Sequence, residues 1–436
     1  MTNNLDSGYD VVIIGAGLAG ATAGECLSAC GLNTITVEAR GRAGGRGFTR
    51  AFANDAEPME FGGAWITPWQ HRIRGLCKKH RIELRPRHPV VARRWFRDGA
   101  LHDDWPIAAA EYSAHEHALA LMSAHSALIK AGITRDHHGR CFGDISFNDY
   151  LDMIDAPEAT RQLISAWWAV SGNGDKARVP ATEILHSVGY FDGTPDGMCE
   201  VWTDTLVGGV QALTTRMIAA GGALCRFGAA ATRVSQDADG VRVTLNDGSI
   251  IAARAAIVAT GLNPMAAIAF DPSLSIAKSA GRKAGNLGRA VKVWAKVEGV
   301  PVGTLVTGGG TGIEWMFSER LAADGTAFVV GFGVAANGWE PQIPKDVELA
   351  VQRFFPEGRF LDCDWHDWNN DPFSRGTWVA AMLGQPQAHA AFTWSMANRL
   401  AFASSDFAAA EAGWFEGAII SGETAAAEIR SALAKV

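Results

Sequence analysis

Tyrosine is scarce in this chain of 436 residues, which carries 4 Tyr against 15 Trp. Other shortages exclude more. There is no basic excess: 39 Lys and Arg stand against 46 Asp and Glu, a formal charge of −7. A sequence-independent grip on nucleic acid needs a cationic surface that releases counterions, so none is expected. The local exception runs from Arg72 to Arg97, where ten Lys and Arg meet one acid, Glu83. Such a run reads as a polyanion patch or as solvated helix and loop faces, and in an acidic chain the second is favoured. The cysteines, Cys26, Cys30, Cys77, Cys141, Cys199, Cys225 and Cys363, are odd in number and scattered, without C-x-x-C or paired Cys/His spacing. A reduced, metal-free protein is expected. No run reaches the roughly 18 apolar residues that a membrane helix needs, and no basic or leader-like segment precedes Asp10. No membrane contact is expected, and the cytoplasm is the expected compartment.

Apolar material is plentiful. With 48% hydrophobic and 19% charged residues the chain is neither disordered nor collagen-like. Its length exceeds the roughly 250–300 residues at which single cores stop growing, so two lobes are expected.

The segment from Asp10 to Ile14 is a short continuous apolar run and reads as a buried parallel strand. Gly15, Ala16, Gly17 and Gly20 follow as G-x-G-x-x-G, then a small-residue helical stretch from Ala21 to Ala29, then a second strand from Thr34 to Glu38. A lone glycine fingerprint is weak, but between a strand and a helix it predicts a dinucleotide site. Gly15 makes the tight turn, Gly17 lets a pyrophosphate reach the backbone, and Gly20 lets helix and strand pack closely. The helix N-terminus supplies free N–H groups. Glu38, closing the second strand, is placed to accept ribose hydroxyls and to disfavour a 2′-phosphate. The fingerprint alone leaves NAD and FAD open. The residues after Glu38 favour FAD, because Arg40, Arg42, Gly44, Gly45 and Arg46 form a basic, glycine-rich loop able to wrap a second phosphate and the flavin side.

From Pro68 to about Val201 the pattern turns to Trp, His and charged residues at helical spacing with breaks at Pro86, Pro89, Pro106, Pro157 and Pro180, which predicts a mostly helical insertion. Strand patterns return between Arg226 and Val258, with Asn246, Asp247 and Gly248 as a hairpin turn. Further strands are predicted at Arg289 to Val297 and Ala327 to Val334, and an alanine-rich helix from Trp414 to Val436.

The sequence from Asp10 to the last helix resembles the flavin-containing amine oxidase family of monoamine oxidases, polyamine oxidases and bacterial 6-hydroxynicotine oxidases. The resemblance rests on the fingerprint and on four further blocks in order. Glu60, Phe61, Gly62, Gly63, Ala64 and Trp65 resemble the loop beneath the flavin. Gly208 to Leu213, followed by Thr232 to Val234, resemble the return to the FAD lobe and the strand whose backbone meets adenine. Asn286 to Lys292 resemble the strand carrying an active-site lysine. Asp371 to Trp378, with Ser404 to Asp406 and Gly413 to Ala418, resemble the two C-terminal flavin-contact blocks, which include Trp414 and Phe415. His366, Asp367 and Trp368, with Gly376 to Ala380, lie nearest the 6-hydroxynicotine oxidase branch.

The resemblance implies an α/β fold. A Rossmann-like FAD-binding lobe of glutathione reductase type (1–75, 203–284 and 380–436) is interrupted by an α+β substrate lobe with a mixed sheet and helices (76–202 and 285–379). It implies that Trp378 and Trp414 form an aromatic cage before the flavin, attracting an ammonium through their π faces. By periodicity Lys292 sits on the outer face of a half-buried strand, sharing it with Trp294 and Lys296; by resemblance it holds a water at flavin N5 and assists reoxidation. FAD is expected to be non-covalent, because Thr377 stands where the monoamine oxidases carry cysteine. Asp406 replaces the usual Glu of the ribityl contact, and Ala169 stands where the nicotine branch places a substrate-binding Asn, which puts 6-hydroxynicotine itself in doubt. The expected reaction takes hydride from the α-carbon of a neutral primary or secondary amine to FAD, with imine hydrolysis and oxygen returning hydrogen peroxide. Imine trapping by a carbon nucleophile, and a flavin-bound interaction protein with little turnover, are the alternatives. Small amines and O2 are the expected partners, with a homodimer as a further expectation.

Overall fold

A computed structural model describes residues 4–53, 58–103, 107–190, 193, 203–222, 224–308, 312–335, 339–384 and 389–434. Pro106, Cys199 and Val201, and with them the end of the expected helical insertion, lie outside the described residues.

Val11, Val12, Ile13 and Ile14 are at most 4% exposed, and each such side chain removed from water stabilises the fold by about 1.5–3 kcal/mol. They belong to the strand Asn4–Ile14, central in an eight-stranded sheet. It pairs in parallel with Thr34–Val37 on one side and Ile250–Val258 on the other. Leu224–Arg226 extends the first edge in parallel, and Leu400–Phe402 joins Ile250–Val258 in parallel. The predicted hairpin around Asn246 is there: Val241–Leu245 lies antiparallel to Ile250–Val258 and to Ala231–Gln236. Helix Leu18–Ala29 packs on helix Phe415–Leu433 so closely that a Cβ on Gly422 would stand 2.4 Å from the Ala19 carbonyl oxygen. The small residues of both helices permit that approach.

The second sheet has seven strands, in the order Arg359–Trp365, Ala290–Glu298, Ala327–Val334, Ile313–Leu321, Thr304–Gly308, Ala92–Arg97 and Ala100–His102. One face, with Val291, Val293, Ala295 and Val297, packs on Val347, Val351 and Phe354 of helix Ile343–Phe354. The other carries Trp294, Trp315, Phe317 and Phe332 against the helical layer that includes Trp167 and Ile164 of helix Glu158–Ser171.

One expectation is qualified and one is corrected here. The insertion expected to be mostly helical carries five helices among its described residues and also strands, of which Ala92–Arg97 and Ala100–His102 complete the edge of this sheet. The strand of Lys292 is buried on both faces rather than half-buried: Lys292 is 6% and Trp294 4% exposed. The segment 60–65 covers what periodicity assigned to solvent, taking the Lys292 Nζ and Trp294 indole N–H donors on its carbonyl oxygens. The expected lobe boundary at 75/76 falls inside helix His71–Lys79, whose Ile73 and Cys77 share a core with Leu27 and Ile429.

The basic run is partly neutralised locally. Arg72 meets Glu423, Arg74 meets Asp204, Lys79 meets Glu25 and Arg94 meets Glu357. Arg97 meets Asp98, so at least five of the ten cations sit against an acid, as on solvated faces.

Candidate active site

One cavity of about 420 Å³ runs between the lobes' characteristic elements, bordered by Gly15, Gly17 and Glu38 at one end and by Lys292, Trp378 and Trp414 at the other. At the first end the strand Asn4–Ile14 stops at Gly15, which takes φ +115° and leaves no room for a Cβ, since one would lie 2.5 Å from the Ala259 carbonyl oxygen. Gly20 is a packing residue: its Cβ would meet the Gly15 oxygen at 2.0 Å. Gly17 ends in extended backbone as the N-cap of helix Leu18–Ala29, with no side chain capping it, so the helix's first N–H groups are left for a ligand. Ala16 is fully buried, and its N–H donates to Glu38 Oε2 at 2.8 Å, while Arg40 N donates to Oε1 at 2.8 Å. Glu38 is thereby fixed at the cavity edge with lone pairs still available.

Gly44 N donates to Ala16 O at 2.9 Å, which lays the basic loop across the fingerprint; a Cβ on Gly45 would stand 3.1 Å from Gly17 Cα. Arg40 donates to Asp371 Oδ1 at 2.5 Å and Ser374 Oγ at 2.7 Å. Burial acts to raise Asp371, but the hydrogen bond from His366 and the Arg40 charge outweigh it and hold the carboxyl down to about 2. Arg46 donates to Thr377 O at 2.7 Å and Ser405 Oγ at 2.8 Å, and pairs with Asp406 at 2.6 Å. The shorter acid at 406 has a second task, with Oδ2 accepting the Leu262 N–H at 3.0 Å.

The loop beneath is pressed flat. A Cβ on Gly62 would lie 1.8 Å from the Arg46 oxygen, and one on Gly63 would lie 2.6 Å from the Phe415 ring. Ala64, Trp65 and Phe415 border the cavity. Glu60 holds this loop from inside, its carboxylate accepting Phe48 N at 2.6 Å, Gly62 N at 2.8 Å and Thr49 Oγ1 at 2.8 Å. Lys292 Nζ donates to Glu60 O at 2.7 Å and Gly62 O at 2.8 Å, leaving one of its three N–H groups at the cavity. Burial pushes this lysine down to about 8, against the opposing pull of Glu60 and Glu319.

Both predicted tryptophans border the same end. Trp378 is anchored by its indole N–H to Ser171 O at 2.9 Å, and its carbonyl accepts from Asn173 Nδ2 at 2.8 Å and Asn286 Nδ2 at 3.2 Å. Trp414 is stacked from behind by Tyr190. Thr377 borders the cavity with its hydroxyl accepting the Ala290 N–H at 3.0 Å. The Val234 side chain is fully buried in the core of the first sheet, and the nearby cavity lining is Ala229, Ala230, Ala231 and Thr232. Sequence reasoning did not single out Tyr190, Gln70, Glu411 or Phe332. Tyr190 and Gln70 reach the site only through other side chains, Glu411 through Tyr190 and the Trp414 main chain, and no motif marks them.

The donor set suits FAD. An acid and a glycine turn stand where an adenosine and a pyrophosphate fit, Arg40 and Arg46 follow, and Thr260 Oγ1, on the lining, is buried without a partner in the protein. Among the described residues no group of three or more His, Cys, Asp or Glu is placed to hold a metal ion, and no helix is long and apolar enough to cross a membrane.

Comparison with known proteins agrees with this geometry. Residues 16–430 match the family model described as flavin containing amine oxidoreductase. Pseudooxynicotine dehydrogenase of a Pseudomonas species is 26% identical, over 99% of this chain and 88% of its own. The (S)-6-hydroxynicotine oxidase of Paenarthrobacter nicotinovorans is 27% identical, over 96% and 98%. A putrescine oxidase structure superposes with a TM-score of 0.86 at 21% identity, covering 97% of this chain and 99% of that one, which shows the shared fold.

Proposed function

Since the chain belongs to the flavin-containing amine oxidoreductase family, with FAD as its non-covalently held cofactor, we propose that Trp378, Trp414 and Lys292 are the residues with which it oxidises a small primary or secondary amine. The carrying observation is the single cavity that joins the nucleotide cradle at Gly15, Gly17 and Glu38 to both indoles and the lysine. Bound along Glu38, Arg40, Arg46 and the glycine turn, FAD would supply the acceptor for a hydride from the carbon beside the amine nitrogen and a route for the electrons to oxygen, giving hydrogen peroxide, and water would hydrolyse the imine.

The chain's own residues do the rest. The indole faces draw in the ammonium, and the apolar slot disfavours its charged form, which releases the proton and leaves a nitrogen lone pair. Trp378 is fixed by three hydrogen bonds, so the slot has one rigid wall. Lys292 keeps one N–H for a water at the cavity. Two indoles in place of smaller rings narrow the slot and favour a flat or hydrophobic amine over a polyamine.

The alternatives of imine trapping and of a binding protein with little turnover are not favoured by the relatives, which are named for oxidation or dehydrogenation of amines. Anaerobic mixing of the holoenzyme with a panel of amines tests the reading. Bleaching of the flavin by at least one aromatic or alicyclic amine is expected, with Trp378→Ala and Trp414→Ala raising KM and lowering kcat for it. Unchanged kinetics in both variants would remove the cage from the mechanism.

A further inference from the structure

Behind the cavity, outside its lining, a small polar cluster is tied to one wall. The Tyr190 ring lies against the Trp414 indole with centroids 5.5 Å apart and planes 20° from parallel. Its hydroxyl donates to Glu411 Oε2 at 2.7 Å and accepts from Gln70 Nε2 at 2.9 Å. Gln70 is fixed in turn, its Oε1 accepting the Thr67 N–H at 3.0 Å. Glu411 also holds Trp414 directly, its main-chain oxygen accepting the Trp414 N–H at 3.1 Å. The contacts close a ring that runs from the indole through the tyrosine and the carboxyl group back to the indole's own backbone.

Packing alone would not need this chemistry. A phenylalanine at 190 would stack as well and would not require a carboxyl group to be drawn out of water. Glu411 is moreover held at φ +54°, a conformation disfavoured for a residue with a side chain, and it is this turn that sets Glu411 and Trp414 on the same side as Tyr190.

Resting on the reading of Trp414 as a cage wall, we propose that Tyr190 and Glu411 are positioning residues for amine oxidation: the tyrosine ring backs the indole, and the carboxylate with Gln70 fixes the tyrosine, so that slot width is set from outside the cavity. The groups facing Glu411 are Tyr190 from helix Ala181–Tyr190, Arg72 from helix His71–Lys79 and Glu416 from helix Phe415–Leu433. Arg72 is shared with Glu423 at 3.0 Å and Glu416 at 3.8 Å, which leaves its charge divided. Burial, with a smaller push from Glu416, raises Glu411 to about 7 against the opposing Tyr190 bond and Arg72. Above that pH the charged carboxylate accepts the tyrosine O–H strongly; below it the neutral acid is the weaker acceptor and the wall loosens.

The test compares the holoenzyme with Tyr190→Phe and Glu411→Gln. Without any substrate, the visible absorbance and circular dichroism of the bound flavin are followed from pH 6 to 8. An inflection near 7 is expected in the wild type and is lost in both variants. With an amine that reduces the flavin, Tyr190→Phe raises KM about threefold or more with kcat within about twofold, as expected for one lost hydrogen bond. Glu411→Gln, which keeps a neutral acceptor, restores KM to the wild-type value at pH 6 without its pH dependence. An inflection that survives in both variants, or is missing from the wild type, overturns the proposal. Should no amine reduce the flavin, the cage reading fails, and the substrate-free titration still decides this one.

Discussion

Replacing Lys292 by Met separates a catalytic role from a structural one, and the structure says the variant should fold. The substitution removes two donors. Glu60 O keeps the Trp294 indole N–H at 3.0 Å, so only Gly62 O loses its partner. An unpaired buried carbonyl costs about 1–3 kcal/mol. Against that, burial moves the lysine from 10.5 to about 8, and at about 1.4 kcal/mol per unit the charged form bears about 3 kcal/mol in the folded protein. The two effects nearly cancel at pH 7. Their pH dependence has a definite sign. Below pH 8 the lysine is protonated in both folded and unfolded chains and the cost is present in full. Between about 8 and 10.5 the unfolded chain binds the extra proton, so wild-type stability rises with pH through that window. Denaturant unfolding at pH 7 and pH 10 should therefore show the wild type gaining about 2.5 kcal/mol relative to Lys292→Met. For activity, at pH 7 the ammonium is about nine-tenths charged, and the loss of one charge-assisted contact predicts a flavin reoxidation slowed about 10- to 100-fold. Anaerobic reduction should change less than about threefold. Stopped flow in the two half-reactions measures both. Wild-type reoxidation should fall as pH climbs through about 8, whereas the variant's stays flat. Reduction slowed more than reoxidation, or reoxidation within about threefold of wild type, would refute the reasoning.

Three further outcomes are expected. Because Thr377 offers no thiol, acid precipitation should leave FAD in the supernatant, and a yellow pellet would contradict that. Gly20→Ala would set a Cβ 2.0 Å from the Gly15 oxygen; a loss of about 3 kcal/mol in denaturant unfolding, together with poor FAD retention, is expected, and a variant of full stability and flavin content would contradict the packing role. Asn286→Ala would remove acceptors from Gly288 N and Ala380 N and donors to Thr377 O and Trp378 O; a loss of about 3 kcal/mol or more is expected, with weaker amine binding through Trp378, and thermal unfolding and KM check both.

The sequence by itself determined the nucleotide end. Buried strand, glycine turn, helix and acid are contiguous between Asp10 and Glu38, so short-range chemistry fixes their geometry, and every element stands where the spacing put it. The C-terminal helix and the hairpin at Asn246 were legible for the same reason. Tertiary structure decided what depends on residues far apart. Alternation along Ala290–Glu298 places Lys292 on an outer face, but the distant segment 60–65 closes over that face and turns a solvated lysine into a buried one beside the cavity. Strand Ile313–Leu321 escaped prediction because Glu314 and Glu319 interrupt an apolar pattern while being buried themselves. Nothing local joins Gln70, Tyr190 and Glu411. Of the four tyrosines, one earns its place only because three distant segments meet behind Trp414. A motif records contacts made within a segment; a wall braced by three segments leaves no such mark, since each residue is constrained only by partners that the fold brings to it.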